Sequence, residues 1–321
     1  MMHPIDRFAA VLIRRGPRRL RIFPDGWGDR TAVSRMEDID TVLTPAPEIE
    51  IEWEPIKHLI DRTTRDGRFD AITDVPAAAQ QALVRVVAPP HGTDRMCLLM
   101  AAWNDHGYNT RQHLAEELLR HDIASLLLEI PSYGRRRLVG PEEQPIRTVA
   151  DFARMGLGAV AEGRALLKHF RPHYMMGVSG YSMGGNIGAL VGAAAGFPVA
   201  MAPLAASHSP GPVFLDGVIS AGIQWDALGG TAERRRLREA LTAASVLRLP
   251  VPAWAASAVM VAARSDGFIP AGAVQALHNH WTGSALQWRP GGHATLLWRQ
   301  RHVLADAIAI SFDRLQATHC A

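Results

Sequence analysis

The stretch that decides the fold is Met175-Met176-Gly177-Val178-Ser179-Gly180-Tyr181-Ser182-Met183-Gly184-Gly185-Asn186-Ile187-Gly188. An apolar run typical of a buried strand meets a serine flanked by glycines, and small residues typical of a helix packed on a sheet follow it. In this G-x-S-x-G pattern, Ser182 occupies a sharp strand-to-helix turn with its hydroxyl exposed. A Cβ at position 180 or 184 would crowd such a turn. The stretch therefore predicts a nucleophile elbow.

Strands and helices alternate on both sides of this elbow. Helices are predicted from Thr110, from Thr148 with Asp151 as its capping partner, after Ser182, from Ala271 to His280, and at the C-terminus around Leu304 and Phe312. The predicted strands are Gln81 to Ala88, Met96 to Ala102, Ser125 to Ile130, the elbow strand, Val199 to Met201, Ser257 to Ala263 and Ala285 to Arg289. Such alternation predicts an α/β fold whose central sheet is mostly parallel, with helices on both faces.

Two segments interrupt the alternation. Residues 1–67 are predicted to form an N-terminal extension packed on the core, and residues 68–321 a single domain. Within that domain, residues 203–252 separate two strands and include an Arg-rich helix from Ala232 to Val246. This segment has the size and place of a helical lid insertion.

The composition excludes several classes of protein. The chain of 321 residues has a net charge of +3, yet Lys57 and Lys168 are its only lysines. A bias towards Arg and Ala indicates a GC-rich coding sequence, and we expect no nucleic-acid partner. Cys97 and Cys320 cannot form a disulfide framework, so we expect free thiols in a reducing compartment. No run of about 18 apolar residues and no signal peptide is found, which predicts a cytoplasmic protein.

The first residues alternate apolar and basic side chains. Phe8, Val11 and Leu12 are interleaved with arginines, among them Arg7, Arg14, Arg15, Arg18, Arg19 and Arg21. The pattern predicts a basic amphipathic helix that ends at Gly16-Pro17. We expect it to pack on the domain with a solvated outer face; the alternative is peripheral contact with an anionic membrane surface through the Arg-rich N-terminus.

A serine nucleophile needs a histidine base that is oriented by a carboxylate. In a sheet with its active site at the carboxyl ends of the strands, these partners follow later strands in the order Ser, Asp or Glu, His. Asp266 follows the strand that ends near Ala263, and His293 follows the strand that ends at Arg289. Taken alone, an Asp before Gly is more often a turn residue, and a His after Gly-Gly is more often a helix cap or a surface residue. Their order and placement predict a Ser182-His293-Asp266 triad.

An oxyanion hole requires two backbone N–H donors. One is predicted at Met183, directly after the nucleophile, and the other in the loop after the strand that ends at Ala102. Trp103 is the first choice for the second donor and Asn104 the next. Many hydrolases have His-Gly before this donor, whereas this chain has Ala101-Ala102.

Other motifs predict no cofactor and no metal. His278 and His280 would point in different directions on a helix, neither lysine follows a glycine as a P-loop requires, and no G-x-G-x-x-G follows a strand. Arg135-Arg136-Arg137 fits a solvated basic loop better than an anion-binding site.

The chain resembles the alpha/beta hydrolase domain-containing protein 18 family over nearly its whole length. The resemblance implies the α/β-hydrolase fold and assigns nucleophile, acid and base to Ser182, Asp266 and His293; at Ala101-Ala102, family members tend to have a glycine. The residues that carry it are Gly26-Trp27-Gly28-Asp29, Asn104-Asp105-His106, Ala124-Ser125-Leu126-Leu127-Leu128-Glu129 with Pro131 and Tyr133-Gly134, Met155-Gly156, Gly180 to Gly185, Val213-Phe214 with Gly217-Val218, Asp266 with Ile269-Pro270, and Gly291-Gly292-His293.

These features predict a serine hydrolase that cleaves a carboxylic ester with an apolar or lipid-like acyl group. A thioesterase or amidase with the same triad, and a non-catalytic hydrolase-fold binding module, are the alternatives. Apolar side chains of the insertion are expected to form the wall of an acyl pocket; the alternative is that they only pack on the edge of the sheet. They are Val213, Phe214, Leu215, Val218, Ile219, Ile223, Trp225 and Leu228.

Overall fold

A ten-stranded sheet forms the centre of the molecule. The computed structural model describes residues 2–15, 20–38, 40–138, 140 and 144–319. The strands are β1 (Glu52–Trp53), β2 (Lys57–His58), β3 (Thr63–Asp70), β4 (Gln81–Ala88), β5 (Arg95–Met100), β6 (Ile123–Glu129), β7 (Met175–Tyr181), β8 (Ala200–Leu204), β9 (Val259–Ala263) and β10 (Ala285–Arg289).

Twelve α-helices are found in the described residues. They are α1 (Pro4–Arg15), α2 (Arg30–Glu37), α3 (Asp40–Leu43), α4 (Asn109–Leu118), α5 (Val149–Phe170), α6 (Met183–Ala193), α7 (Pro210–Asp216), α8 (Trp225–Leu228), α9 (Arg234–Ala243), α10 (Ala271–His280), α11 (His293–Arg299) and α12 (Arg301–His319). Short 3-10 helices occupy Ala77–Ala79, Leu119–His121, Gly134–Arg136, Val218–Gly222, Thr231–Glu233, Val246–Arg248 and Ala255–Ser257.

The strand order is β1-β3-β4-β6-β5-β7-β8-β9-β10, with β2 also paired to β3. All pairings from β6 through β10 are parallel, whereas β1 to β4 pair antiparallel and β4 joins β6 antiparallel. Helices α5 and α6 cover one face, and α4 and α12 cover the other. The mostly parallel sheet with helices on both faces is confirmed.

The predicted bounds of β4, α10 and β10 agree with the structure to the residue. The predicted cap of α5 is confirmed, because Thr148 Oγ accepts from the Asp151 amide at 3.0 Å and the Asp151 carboxylate accepts from the Thr148 amide at 2.9 Å. The strand predicted from Met96 to Ala102 ends two residues earlier, at Met100. Ala101 and Ala102 therefore belong to the loop that follows β5.

The sheet begins upstream of the expected domain start. Residue 67 lies within β3, which pairs with β4 along its whole length, so the boundary predicted there falls inside a strand. The N-terminal helix is observed as α1, while Gly16-Pro17, Arg18 and Arg19 lie outside the described residues, as does Cys320. Helix α1 exposes Phe8, Val11 and Leu12 and buries Asp6 completely.

The insertion between β8 and β9 consists of α7, α8, α9 and short 3-10 helices, and the N-terminal segment packs on it. Ile22 and Ile223 form an isolated parallel β-bridge, and the Trp27 indole donates a hydrogen bond to the Leu228 carbonyl at 3.0 Å. The predicted Arg-rich helix is shorter than expected, because α9 begins at Arg234 and ends at Ala243. Among the described helices, none combines the length and apolar character needed to span a membrane.

The turn between β7 and α6 has no room for side chains at two glycines. A Cβ on Gly180 would lie closer than 3.0 Å to the Gly184 and Met100 backbones, and one on Gly184 closer than 3.0 Å to the carbonyl oxygens of Met100 and Ala101. The first turn of α6 therefore lies directly against the end of β5, which only glycine allows.

We expect Gly184→Ala to lower the free energy of unfolding by about 1–3 kcal/mol, because the added methyl group forces backbone apart in a packed turn. Gly272→Ala is the matched control: Gly272 is exposed on α10 with open space around its Cβ position, and alanine favours a helix by up to about 1 kcal/mol. Urea-induced unfolding of both variants measures the difference. Equal stability of the two variants would contradict the crowded turn.

Candidate active site

Ser182 stands between β7 and α6 in a backbone conformation that side chains rarely adopt. Its φ is 58° and its ψ is −117°, which costs on the order of 1–3 kcal/mol. The surrounding backbone holds it there: the Ser182 amide donates to the Leu204 carbonyl at 2.8 Å, and the Ser182 carbonyl accepts from Gly185 at 3.0 Å and from Asn186 at 3.1 Å. The hydroxyl is thereby carried to the carboxyl edge of the sheet.

Asp266 and His293 lie side by side at the same edge. His293 Nδ1 and Asp266 Oδ2 are 2.7 Å apart, and both side chains are largely buried. The other carboxylate oxygen, Oδ1, accepts from the backbone amides of Phe268 and Ile269, each at 2.8 Å. The carboxylate is thus fixed by its own loop and points one oxygen at the imidazole. This arrangement orients the ring and leaves Nε2 for a second partner.

Ser182 and His293 line one cavity. Among the described residues no hydrogen bond joins the Ser182 hydroxyl to another group, so Oγ is not committed to a competing partner. Catalytic hydrogen bonds of this kind are often long in the absence of substrate and shorten when it binds.

Two aromatic side chains that sequence reasoning missed enclose His293. The Phe268 ring stacks on the imidazole at 4.9 Å between centroids, and the Tyr181 ring lies 5.0 Å from it. The Tyr181 hydroxyl donates to the His293 carbonyl at 2.5 Å. Burial and the nearby charges of Asp266 and Asp6 raise the pKa of Tyr181 well above its usual value, so it remains a donor. The sequence offered only their positions as a signal: Tyr181 directly precedes Ser182, and Phe268 lies two residues after Asp266.

The backbone amides predicted for the oxyanion hole are available. Neither the Met183 amide nor the Trp103 amide has an acceptor among the described residues, and both residues line the cavity beside Ser182. Asn104, the second choice for the loop donor, is exposed and does not line the cavity.

A buried arginine anchors the loop that carries Trp103. Arg111 Nε donates to Asp105 at 2.7 Å, and its two amino groups donate to the carbonyls of Leu99, Leu128 and Gly107. These carbonyls belong to the ends of β5 and β6 and to the loop itself. One side chain therefore joins the loop to both strands.

The cavity encloses about 260 Å³ and is mostly apolar. Among the insertion residues predicted to line a pocket, Val213, Phe214 and Ile219 do so. The prediction was wrong for Trp225, which packs partly buried against the core outside the cavity. The remaining predicted wall residues are also outside it and are buried in the core: Leu215, Val218, Ile223 and Leu228.

Two buried polar atoms in the cavity wall lack a partner within the described part of the chain. They are the indole Nε1 of Trp103 and the hydroxyl of Ser209. A buried polar group without a hydrogen bond is costly, and both atoms are shielded from solvent in this conformation. The cavity thus combines an apolar wall with a few polar contacts, as small-molecule sites do.

The basic loop and the histidine pair take structural roles. Arg136 is buried and donates to Glu162 through two nitrogens at 2.7 Å, which differs from the solvated loop expected. His278 contacts Ser284 and His280 contacts the Leu249 carbonyl. No group of three or more His, Cys, Asp or Glu side chains within the described ranges is arranged to hold a metal ion.

The chain matches the family model described as Alpha/beta hydrolase domain containing 18 over residues 20–242 and 230–314. The site described above lies within these ranges.

Several solved structures with the same fold are esterases by name. An acetyl xylan esterase from Paenibacillus sp. R4 superposes with a TM-score of 0.59 at 13% identity, covering 91% of this chain and 98% of that one. A cold-adapted esterase from an Arctic intertidal metagenomic library superposes with a TM-score of 0.55 at 14% identity, covering 82% of this chain and 99% of that one. Carboxyl esterase 2 from Tuber melanosporum superposes with a TM-score of 0.53 at 14% identity, covering 99% of this chain and 100% of that one. At these identities the likeness shows the fold, which is the α/β-hydrolase fold predicted.

We expect Asp105→Ala to lower the free energy of unfolding by about 3–5 kcal/mol, because it leaves the buried Arg111 guanidinium without its counter-charge. Glu52→Ala removes an exposed partner of Arg68 and should cost less than about 1 kcal/mol. Urea-induced unfolding of both variants checks this. If Asp105→Ala lowered the free energy of unfolding by as little as Glu52→Ala, the Arg111–Asp105 pair would not anchor the loop.

Proposed function

The chain belongs to the alpha/beta hydrolase domain containing 18 family, and we propose that it is a serine hydrolase that cleaves carboxylic esters. The observation that carries this proposal is the cavity that Ser182 and His293 share, with Asp266 bonded to His293 at 2.7 Å behind it. The esterases that share the fold add support.

The first half of the proposed reaction transfers the acyl group to Ser182. His293 Nε2 takes the hydroxyl proton while Oγ attacks the ester carbonyl carbon, and the carbonyl oxygen becomes an oxyanion held by the Met183 and Trp103 amides. Asp266 stabilises the imidazolium that forms. When the carbon–oxygen bond to the alcohol breaks, His293 returns the proton to the leaving oxygen. The products of this half are an alcohol and an acyl-serine.

The second half repeats the same steps with water. His293 Nε2 removes a proton from water as it attacks the acyl-serine, the same two amides hold the oxyanion, and the proton goes to Ser182 Oγ as the acyl bond breaks. A carboxylic acid leaves and Ser182 is regenerated. The chain's own residues carry every proton in this cycle.

The cavity limits the size of the substrate. Its volume of about 260 Å³ lies below the roughly 300–1,000 Å³ of drug-sized ligand sites. A second cavity of about 40 Å³ lies behind Phe152, Met183, Asn186 and Pro210, which line both. We infer that a short or medium acyl chain fills the first cavity and that longer chains would need these side chains to move.

Labelling by a fluorophosphonate probe tests the nucleophile directly. Wild-type protein should be labelled and Ser182→Ala should not, whereas Ser207→Ala, which alters another serine in the cavity wall, should retain the label. Ester turnover should fall roughly 10⁴-fold in Asp266→Asn, and at least as far in His293→Ala, with the fold intact. Labelling of Ser182→Ala at the wild-type rate would refute the mechanism, and unlabelled wild type would indicate a non-catalytic binding module.

A series of esters of graded acyl length tests the pocket. Each methylene that enters the cavity gains up to about 0.8 kcal/mol, so kcat/KM should rise from acetyl to medium chains and then fall. Val213→Phe, which fills part of the cavity, should move the optimum to shorter chains. Trp225→Ala, outside the cavity, should leave the series unchanged. Matched thioesters identify the preferred leaving group, and an acetyl optimum in both wild type and Val213→Phe would contradict an acyl pocket.

A further inference from the structure

Helix α1 contacts both loops of the proposed acid and base. One oxygen of Asp6, Oδ2, accepts from the backbone amide of Gly267 and from the backbone amide of His293, each at 2.9 Å. Gly267 directly follows Asp266. A single carboxylate oxygen thus joins the loop after β9 to the first residue of α11, although these residues lie 261 and 287 positions away in the chain.

We propose that Asp6 is a positioning residue, which fixes Asp266 and His293 relative to each other by holding the backbone of both loops. This inference rests on the proposed function for its kinetic consequences. The two loops are already joined by the Asp266–His293 hydrogen bond and by the Ser265 amide, which donates to the Gly291 carbonyl at 3.0 Å. Asp6 adds a link between the amide of the residue after Asp266 and the amide of His293 itself, so it fixes the backbone next to both side chains.

Two glycines in the loops make this contact possible. A Cβ on Gly292 would lie closer than 3.0 Å to His3 and Asp6, and one on Gly267 closer than 3.0 Å to Met2. The His3 amide also donates to the Ser265 carbonyl at 3.0 Å, so the segment before α1 holds the residue preceding Asp266 as well. Because Gly267 and Gly292 have no side chains, α1 and the residues before it can lie directly against both loops.

The burial of Asp6 suits a role in the site better than a role in general stability. Its side chain is fully buried, and Oδ1 has no hydrogen-bond partner among the described residues. A carboxylate in this position is expensive for the fold. In return, Oδ2 holds the backbone amides of Gly267 and His293, which lie beside the proposed acid and at the proposed base.

Variants of Asp6 separate positioning from simple stabilisation of α1. Asp6→Ala removes the acceptor for both amides, while Asp6→Asn keeps one oxygen that can accept from both but loses the charge. Ala9→Gly is the matched control, because it weakens the same helix and leaves Asp6 in place. Stability of each variant is measured by thermal unfolding, so that kinetics are compared at temperatures where all are folded.

Ester turnover gives the first readout. Asp6→Ala should lower kcat roughly 10- to 100-fold with little change in KM, because a misplacement of about 1 Å in a catalytic group costs about that much. In Asp6→Asn, kcat should fall less than in Asp6→Ala, and Ala9→Gly should keep the wild-type kcat. In a His293→Ala background, Asp6→Ala should add no further loss, since Asp6 acts through His293. Wild-type kcat in Asp6→Ala, or equal losses in Asp6→Ala and Ala9→Gly, would overturn the inference.

A second readout does not depend on turnover. A proton held between His293 Nδ1 and Asp266 should give a far-downfield proton NMR signal that is absent from His293→Ala. We expect this signal to persist in Ala9→Gly and to broaden or vanish in folded Asp6→Ala. An unchanged signal in Asp6→Ala would refute the positioning role even if the protein hydrolyses no ester, whereas failure of wild-type labelling with this pattern intact would refute the proposed function alone.

Discussion

The contact between the first turn of α6 and the end of β5 is the constraint on which the site depends. Gly180 and Gly184 allow backbone to meet backbone there, and Ser182 takes its left-handed conformation because the chain must reverse within that space. Met183 and Trp103, which follow the two sides of this contact, line the same cavity as Ser182. A single steric requirement therefore bears on both the proposed nucleophile and the proposed donors for its oxyanion.

The parts of the site that could be predicted are those specified by local sequence. The elbow is a short run of glycines around a serine after an apolar strand, Asp266 follows the apolar run of β9, and His293 follows β10 through the glycine-rich turn at Gly291-Gly292. Strands β1 and β2 gave no such signal, because each has two residues. Strand β3 carries charged residues on both faces and a glycine, which hides its pairing with β4.

The orientation of the insertion could not be predicted, because it depends on tertiary contacts. Val213 and Trp225 are both apolar residues in the same segment, yet one lines the cavity and the other packs outside it. Asp6 was hidden for a different reason: an acidic residue in the first turn of a helix already has a local explanation in the helix dipole. Gly267 and Gly292 likewise fit ordinary turns, so nothing in the sequence linked either of them to α1.

The N-terminal segment and the insertion form one structure over the sheet edge. Phe23 stacks on Phe214 at 5.5 Å, and Phe214 in turn packs edge-on against Trp103 at 5.5 Å in the cavity wall. The wall near Ser182 is thus supported by residues from the beginning of the chain, just as the two loops behind His293 are joined by Asp6. These contacts span most of the sequence, and long-range contacts bear the largest entropy cost of chain closure. The turn that carries Ser182 is recognisable from its own sequence, whereas the geometry of the proposed acid and base and of the cavity depends on contacts with both ends of the chain.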